Sequence, residues 1–276
     1  MIWMVGGNGM LGREIAETLQ AEGLDFYATD LDVDITDFQA LRSYAAGKDV
    51  QWIINAAAYT AVDRAESEEG RALAVNGTGP GCLGQVAHEI DARVIHFSTD
   101  YVFSGLKDAP YSEIDPVDPV SAYGRTKLAG ENALQAATSK CFIFRISWLY
   151  GQQGGNFVAT MLRLFREREK LGVVADQFGA PTWTGMLARN VAWLIAEQSD
   201  EYGIYHYADA GRISWYDFAA AIYEDARAMD MPMNDVDIKP LRTEEYPTPA
   251  RRPQNSSFDK TRVKALGFDV RPWREN

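Results

Sequence analysis

Short apolar runs alternate with amphipathic stretches through the first half of the chain. Ile2 to Val5 has no polar interruption and reads as a strand buried on both faces. Leu11, Ile15 and Leu19 follow at a spacing of four and mark one face of a helix that ends near Gly23. Phe26 to Thr29, Trp52 to Ile54, Val94 to Phe97 and Phe142 to Ile146 read as four further strands, with helical spacing between them. This alternation predicts an α/β fold, a Rossmann-type doubly wound parallel sheet with helices on both faces. Ligands of such sheets bind beyond the carboxyl ends of the strands, so the residues just after each strand are the ones to inspect.

After Trp148 the alternation fades. Pro181, Pro232, Pro240, Pro247, Pro249 and Pro253 punctuate this part, and Tyr205, Tyr207, Trp215, Tyr216, Phe218 and Tyr223 make it aromatic. It predicts a smaller, mixed α/β region packed over the sheet edge, the natural place for specificity. The expected division is a sheet domain over residues 1–147, rejoined by about 184–206, and a second region formed by 148–183 and 207–276.

Composition narrows the class. Hydrophobic residues are 46% and charged residues 24%, near the globular average, which excludes a disordered or fibrous chain. Acidic residues outnumber basic ones 39 to 27, a net charge of −12, so the surface is wrong for nucleic acid. Any phosphate must be held locally, by backbone amides or a few arginines. Cys82 and Cys141 are the two cysteines, with no CxxC, so a disulfide framework or zinc site is not expected and a reduced, cytoplasmic setting fits. The N-terminus carries no basic region and its apolar run stops at Gly6, unlike a signal peptide. No stretch reaches the roughly 18 apolar residues of a membrane span.

Gly6, Gly9 and Gly12 form G-x-x-G-x-x-G directly after the first strand, with Met10 and Leu11 opening the helix. Glycines here permit a tight turn and let backbone amides approach a pyrophosphate at the positive helix N-terminus. The turn therefore predicts a dinucleotide cofactor. Asp30 stands at the end of the second strand, where an acid accepts hydrogen bonds from the adenosine ribose and opposes a 2′-phosphate. Leu31, Asp32 and Val33 add no cation, so the expectation leans to NADH, or to use of both NADH and NADPH.

Tyr123 and Lys127 form Y-x-x-x-K, which places both side chains on one helix face. A cation about 4 Å from a phenol, at an effective dielectric near 20, contributes on the order of 4 kcal/mol. That is enough in principle to lower a tyrosine pKa by up to about three units, with burial opposing it by disfavouring the phenolate. The pattern alone is common by chance. Thr99, just after the fourth strand, adds a hydroxyl that can polarise a carbonyl. Glycine turn, Thr99, Tyr123 and Lys127 occur in the order of the short-chain dehydrogenase/reductase superfamily, and the Thr-to-Tyr separation is similar to its extended branch.

Further strings resemble one family of that branch, the dTDP-4-dehydrorhamnose reductases. They are Asn55 to Asp63, Ser98 to Phe103, Tyr123 to Leu128 with Gly130 and Glu131, Arg145 to Gly151, Asp176 to Thr182, and Arg252-Pro253 with Ser256. The resemblance runs from residue 2 to about 273. It implies reduction of the C4 ketone of dTDP-4-dehydro-L-rhamnose by NAD(P)H, with Thr99, Tyr123 and Lys127 as the catalytic set. The 1–147 unit would then be the NAD(P)-binding domain and the remainder the substrate-binding region. The resemblance further implies that Asp34 and Ile35 contact adenine, that Ala56, Ala57, Ala58 and Tyr59 line the cofactor cleft, and that Asn76 supports it. Val62, Asp100, Tyr101 and Trp148 would contact the sugar, with Asn156, Gln177 and Arg252 as further substrate-side candidates.

Two departures stand out. Met10 occupies a turn position that is polar in many relatives. The sequence stops at Asn276 where relatives usually continue into another helix that carries acidic residues of a Mg²⁺-linked dimer, so neither that metal nor that dimer is carried over. Glu66, Glu68 and Glu69 are expected on a solvated helix face, and the Arg163 to Lys170 run on an exposed helix. His88, His96 and His206 lack ligand spacing, and the latter two read as structural histidines in strands. The expected partner is a nucleotide sugar, with neither nucleic acid nor membrane, in a monomer or homodimer. Two other readings stay open. One is another nucleotide-sugar enzyme of the branch, such as a 4-epimerase, a 4,6-dehydratase or a different 4-ketoreductase. The other is a regulatory subunit on the same fold, similar to that of methionine adenosyltransferase. The dehydratases place Asp-Glu after the Thr, whereas Thr99 is followed by Asp100 and Tyr101.

Overall fold

A computed structural model describes all 276 residues. The first part runs β1 (Ile2–Val5), α1 (Met10–Ala21), β2 (Phe26–Thr29), α2 (Phe38–Ala45), β3 (Trp52–Asn55), α3 (Val62–Ala65), α4 (Glu69–Leu73), α5 (Gly79–Glu89), β4 (Arg93–Thr99), α6 (Ala122–Ala137) and β5 (Cys141–Ile146). The second part runs β6 (Leu149–Tyr150), α7 (Phe157–Glu167), β7 (Lys170–Val174), β8 (Phe178–Gly179), β9 (Thr182–Trp183), α8 (Thr184–Ala196), β10 (Gly203–Tyr207), β11 (Ile213–Ser214), α9 (Trp215–Ala228), β12 (Asp237–Leu241) and α10 (Thr261–Leu266).

Successive side chains of a strand point to opposite faces, and here both faces are covered. In β1, Ile2 and Met4 join one core while Trp3 and Val5 join the other. Trp52 and Ile54 of β3 divide from Ile53 in the same way, which is why these strands read as unbroken apolar runs. The first core is closed by α1 and α8, through Leu11, Ile15, Leu19, Leu187, Val191 and Leu194. The second is closed by α2, α5 and α6, through Leu41, Leu83, Val86 and Leu134. Full burial of each such side chain stabilises by about 1.5–3 kcal/mol.

The sheet is parallel, in the order β10-β5-β4-β3-β1-β2. The winding reverses between β1 and β3, and the crevice at that switch point is where the carboxyl-terminal loops diverge. Residues 184–207 return to this layer as α8 and β10. The C-terminal segment returns as well, since Val263, Leu266 and Phe268 belong to the first core. The remainder packs as a third core, in which Met161, Phe165, Val173, Phe218 and Ile222 join α7, β7 and α9. Strands β7 and β12 pair in parallel beside it.

Two charged stretches differ from their expectation. Helix α7 stops at Glu167, so the Arg163 to Lys170 run crosses a helix end and opens β7. The Glu66, Glu68 and Glu69 carboxylates are bound rather than merely solvated. Glu66 accepts the Ala122 N–H at 2.8 Å, Glu68 accepts the Tyr59 hydroxyl at 2.9 Å, and Glu69 takes the Arg125 fork at 3.0 and 3.1 Å. They tie α3 and α4 to the start of α6. No helix is long and apolar enough to cross a membrane.

Candidate active site

The glycine turn sits at the switch point. Gly6 has φ +82°, and a Cβ there would lie 2.4 Å from the Ala57 nitrogen. A Cβ on Gly12 would lie 2.2 Å from the Gly6 carbonyl oxygen, so only glycine lets α1 start against the turn. Gly9 is the N-cap of α1 and supplies no side-chain cap. The first-turn amides of α1 thus open, without a side-chain partner, onto a cleft lined by Gly9, Met10 and Leu11. Asp30 is held in place: one oxygen accepts the Asn8 N–H and the other the Leu31 N–H, each at 2.9 Å.

Two pockets meet at this turn. The first, about 650 Å³, is lined by Asp30, Asp34, Ile35, Tyr59 and Arg71. The second, about 780 Å³, is lined by Val62, Thr99, Asp100, Tyr101, Tyr123, Lys127, Trp148 and Trp215. Asn8, Gly9, Ala56, Ala57 and Ala58 line both, so the two form one elongated groove across the glycine turn. A groove of that shape, with free helix amides at its middle and an acid at one end, fits a dinucleotide.

Thr99, Tyr123 and Lys127 come together at the other end. Thr99 closes β4, and Tyr123 and Lys127 lie in the first two turns of α6. Ser121 caps this helix by accepting the Gly124 N–H at 3.2 Å. The Tyr101 ring meets the Tyr123 ring edge-on at 5.7 Å. Lys127 is 2% exposed and donates to the Phe97 carbonyl at 2.6 Å.

The expected lowering of the Tyr123 pKa is overturned. Burial pushes the phenol up to about 12, opposed by a hydrogen bond with Thr99, and the nearby Asp100 carboxylate raises it further. Burial also brings Lys127 down to about 8, against the pull of Glu131. Desolvation of both groups outweighs the pairwise attraction. A phenol that keeps its proton is a donor in waiting, suited to protonating an oxygen on which negative charge develops. Asp100 is 2% exposed, and burial raises its carboxyl to about 6.

Among known proteins, the chain matches the RmlD substrate binding domain family over residues 1–276. It is 43% identical over 265 residues to a dTDP-4-dehydrorhamnose reductase of Escherichia coli, covering 94% of this chain and 89% of that one. The chain belongs to the dTDP-4-dehydrorhamnose reductase family. A crystal structure of a member from Clostridium acetobutylicum, 41% identical, superposes with a TM-score of 0.92 over 99% of this chain and 95% of that chain. One from Bacillus anthracis in complex with NADP, 37% identical, superposes at 0.93 over the same shares.

Not every residue that the resemblance to dTDP-4-dehydrorhamnose reductases singled out reaches the groove. Asn76 lies behind its wall: it accepts the Tyr59 N–H at 2.8 Å, donates to the Tyr59 carbonyl at 3.0 Å, and reaches Thr126 on α6 at 3.2 Å. Gln177 is buried and donates to the Thr243 hydroxyl at 3.1 Å. Asn156 caps α7 by accepting the Ala159 N–H at 3.0 Å, although its amide also reaches the Met10 sulfur at 3.8 Å. Arg252 is committed to Asp63, with Nη1 and Nη2 donating at 3.0 and 2.9 Å. Each has its polar groups occupied by the protein, and none lines the groove.

Of the lining residues of this family member that were not anticipated as site residues, three carry distinctive chemistry. Trp215 stacks on Trp148 with ring centroids 3.6 Å apart and planes 13° apart. Phe157 packs on Trp215 at 4.6 Å. Arg71 of α4 is a cation lining the same pocket as Asp30, 3.6 Å from Glu68. Ser214 with Asp217 forms a capping box, a signal that could have placed Trp215 at a helix start but not in the cleft.

Proposed function

We propose that the chain reduces the C4 ketone of dTDP-4-dehydro-L-rhamnose to the alcohol, giving dTDP-L-rhamnose, with NADH or NADPH as reductant. The observation that carries this is the convergence of Thr99, Tyr123 and Lys127 on one end of a groove that runs over the glycine turn. When bound, the reduced nicotinamide supplies the hydride that ends on C4. Tyr123 gives its proton to the C4 oxygen as that oxygen becomes alkoxide. Thr99 hydrogen-bonds the same oxygen and orients it. Lys127 holds the nicotinamide ribose and offsets the phenolate until solvent returns the proton.

The amides of Gly9, Met10, Leu11 and Gly12, beside Gly6, take the pyrophosphate without a basic side chain. Asp34 and Ile35 border the adenine, and Ala56, Ala57, Ala58 and Tyr59 form the opposite wall. Asp30 accepts from the ribose hydroxyls and favours NADH. Arg71, which lines the same pocket, offers a 2′-phosphate a counter-charge, which supports use of both cofactors. Val62, Asp100, Tyr101 and Trp148 face the sugar. Every group used comes from one chain, so a monomer or homodimer suffices, and two free cysteines suit a reducing cytoplasm.

The test follows loss of NADH, and separately NADPH, with dTDP-4-dehydro-L-rhamnose generated in situ from dTDP-glucose. Oxidation with dTDP-L-rhamnose as product is expected. Tightly retained NAD with no net oxidation would replace this reading with a 4-epimerase.

A further inference from the structure

Ser98 on β4, Arg145 on β5 and His206 on β10 are register partners across three adjacent strands, one residue short of the row that ends at Thr99. They lie on the α6 face of the sheet. There Arg145 meets Glu131 of α6: Nε donates to Oε1 at 3.0 Å and Nη2 to Oε2 at 2.7 Å. The Ser98 hydroxyl also donates to Glu131. The ion pair is almost fully buried, at 3% and 1% side-chain exposure. Nη1 of Arg145 lies 3.4 Å from His206 Nε2, and His206 Nδ1 lies 3.0 Å from the Tyr111 carbonyl oxygen.

Glu131 follows Lys127 by four residues, the spacing at which a lysine and a glutamate on one helix pair. In a buried site that attraction is stronger than at a surface. Yet the ammonium donates to the Phe97 carbonyl instead. The reason is visible in the acceptor count. A carboxylate has about four lone-pair sites, and Arg145, whose Nε also reaches Oε2 at 3.3 Å, makes with the Ser98 hydroxyl four contacts to them. Charge points the same way. His206 and His96 are held neutral by burial, and Glu113, Asp115 and Asp259 lie on the His206 side, so Lys127, Arg145 and Glu131 are the charges that compete beneath α6. Without the arginine, Lys127 and Glu131 become each other's counter-ion.

We infer that Arg145 is a positioning residue: by occupying both oxygens of Glu131 it keeps Lys127 off that carboxylate and on the Phe97 carbonyl, beside Tyr123 and the cofactor ribose. What Lys127 does there rests on the reductase reading above; the competition for Glu131 does not.

The experiment compares Arg145→Met with Glu131→Gln/Arg145→Met. Steady-state constants are read with NADH and dTDP-4-dehydro-L-rhamnose, NADH affinity by fluorescence titration, and folding by circular dichroism. Arg145→Met should lower kcat by about tenfold or more and weaken NADH several-fold, because a displaced ammonium misplaces what it holds. The double variant, which removes the capturing carboxylate as well, should return both to within about threefold of the parent. A folded double variant no better than Arg145→Met overturns the inference, as does a single variant with parental constants. Should Arg145→Met not fold, the double variant decides alone, because replacing both members of a buried pair is often tolerated. About threefold supports the inference, and a loss of tenfold or more sinks it. If the parent chain itself oxidises no NADH with this sugar, the reductase reading fails, and the order of NADH affinities still tests the role of Arg145.

Discussion

The Thr99 hydroxyl donates to one Asp100 oxygen at 3.0 Å, and the Ser256 hydroxyl also bonds this buried carboxyl. Thr99 in turn accepts the Tyr101 N–H at 3.2 Å. An ionised Asp100 therefore draws the Thr99 proton toward itself, and Asp100 lines the Thr99 end of the cleft. This is a site that spends stability on a buried charge.

Asp100→Asn is expected to stabilise the fold at neutral pH while lowering turnover. The carboxyl is raised from 3.8 to about 6, so the folded chain binds its proton more tightly than the unfolded one. Stability from this group is then full below about pH 4 and is lost as pH rises through about 6. The loss is on the order of 3 kcal/mol. The variant should raise Tm at pH 8 clearly more than at pH 4. An equal shift at both pH values would mean that desolvation of this carboxylate is not the cause.

Tyr123→Phe should cut kcat by about 10²–10⁴, the range of a lost general acid, and leave NADH affinity within a few-fold. Tyr123, pushed up to about 12, holds its proton throughout the assay range. The alkaline limb belongs to Lys127, which loses its charge as pH rises through about 8. Cofactor affinity should therefore fall above about pH 8, and Lys127→Arg, whose charge persists, should push that fall upward. A limb unmoved in the arginine variant would assign it to another group.

Asp30→Ala should shift preference toward NADPH by about tenfold, since it removes a charge that opposes the 2′-phosphate and leaves Arg71 in the same pocket. Part of the NADH affinity should go as well, because Asp30 also fastens the Asn8 amide. Ratios of kcat/KM for the two cofactors give the answer, and an unchanged ratio contradicts the assignment.

The sheet was legible because its central strands are buried on both faces, so Trp52-Ile53-Ile54 is apolar whichever way it points. The glycine turn, Thr99 and the Tyr123–Lys127 pair were legible because their chemistry needs fixed local spacing. What escaped depends on packing between distant segments. Spacing puts Lys127 beside Glu131, but only the β4–β5 register shows Arg145 taking that carboxylate. Asn76, expected to support the cleft, braces its Tyr59 wall, while Gln177 and Arg252 bond Thr243 and Asp63, pairings between distant segments that spacing does not show. Strands of two residues, such as β6, β8, β9 and β11, are too short to leave any period.

Trp215 carries the last prediction. Trp148 adopts φ +48°, a conformation that is costly for a bulky side chain and persists only where its surroundings enforce it. The enforcing groups are the Trp215 indole stacked on one face and Gly179, where a Cβ would come within 2.8 Å of the Trp148 ring. Trp215 is itself held by Phe157 and by its place at the start of α9 behind the Ser214 cap. Removing it leaves Trp148 free to leave the left-handed region, so the apolar wall offered to the sugar is lost without touching the proton donors. Trp215→Ala should thus raise KM for the nucleotide sugar by about tenfold, with NADH affinity unchanged and kcat reduced far less than in Tyr123→Phe. Gly179→Ala, which crowds the same ring from the other side, should give the same KM-dominated pattern. A Trp215→Ala enzyme that loses kcat and keeps its sugar KM would instead place Trp215 in the chemical step.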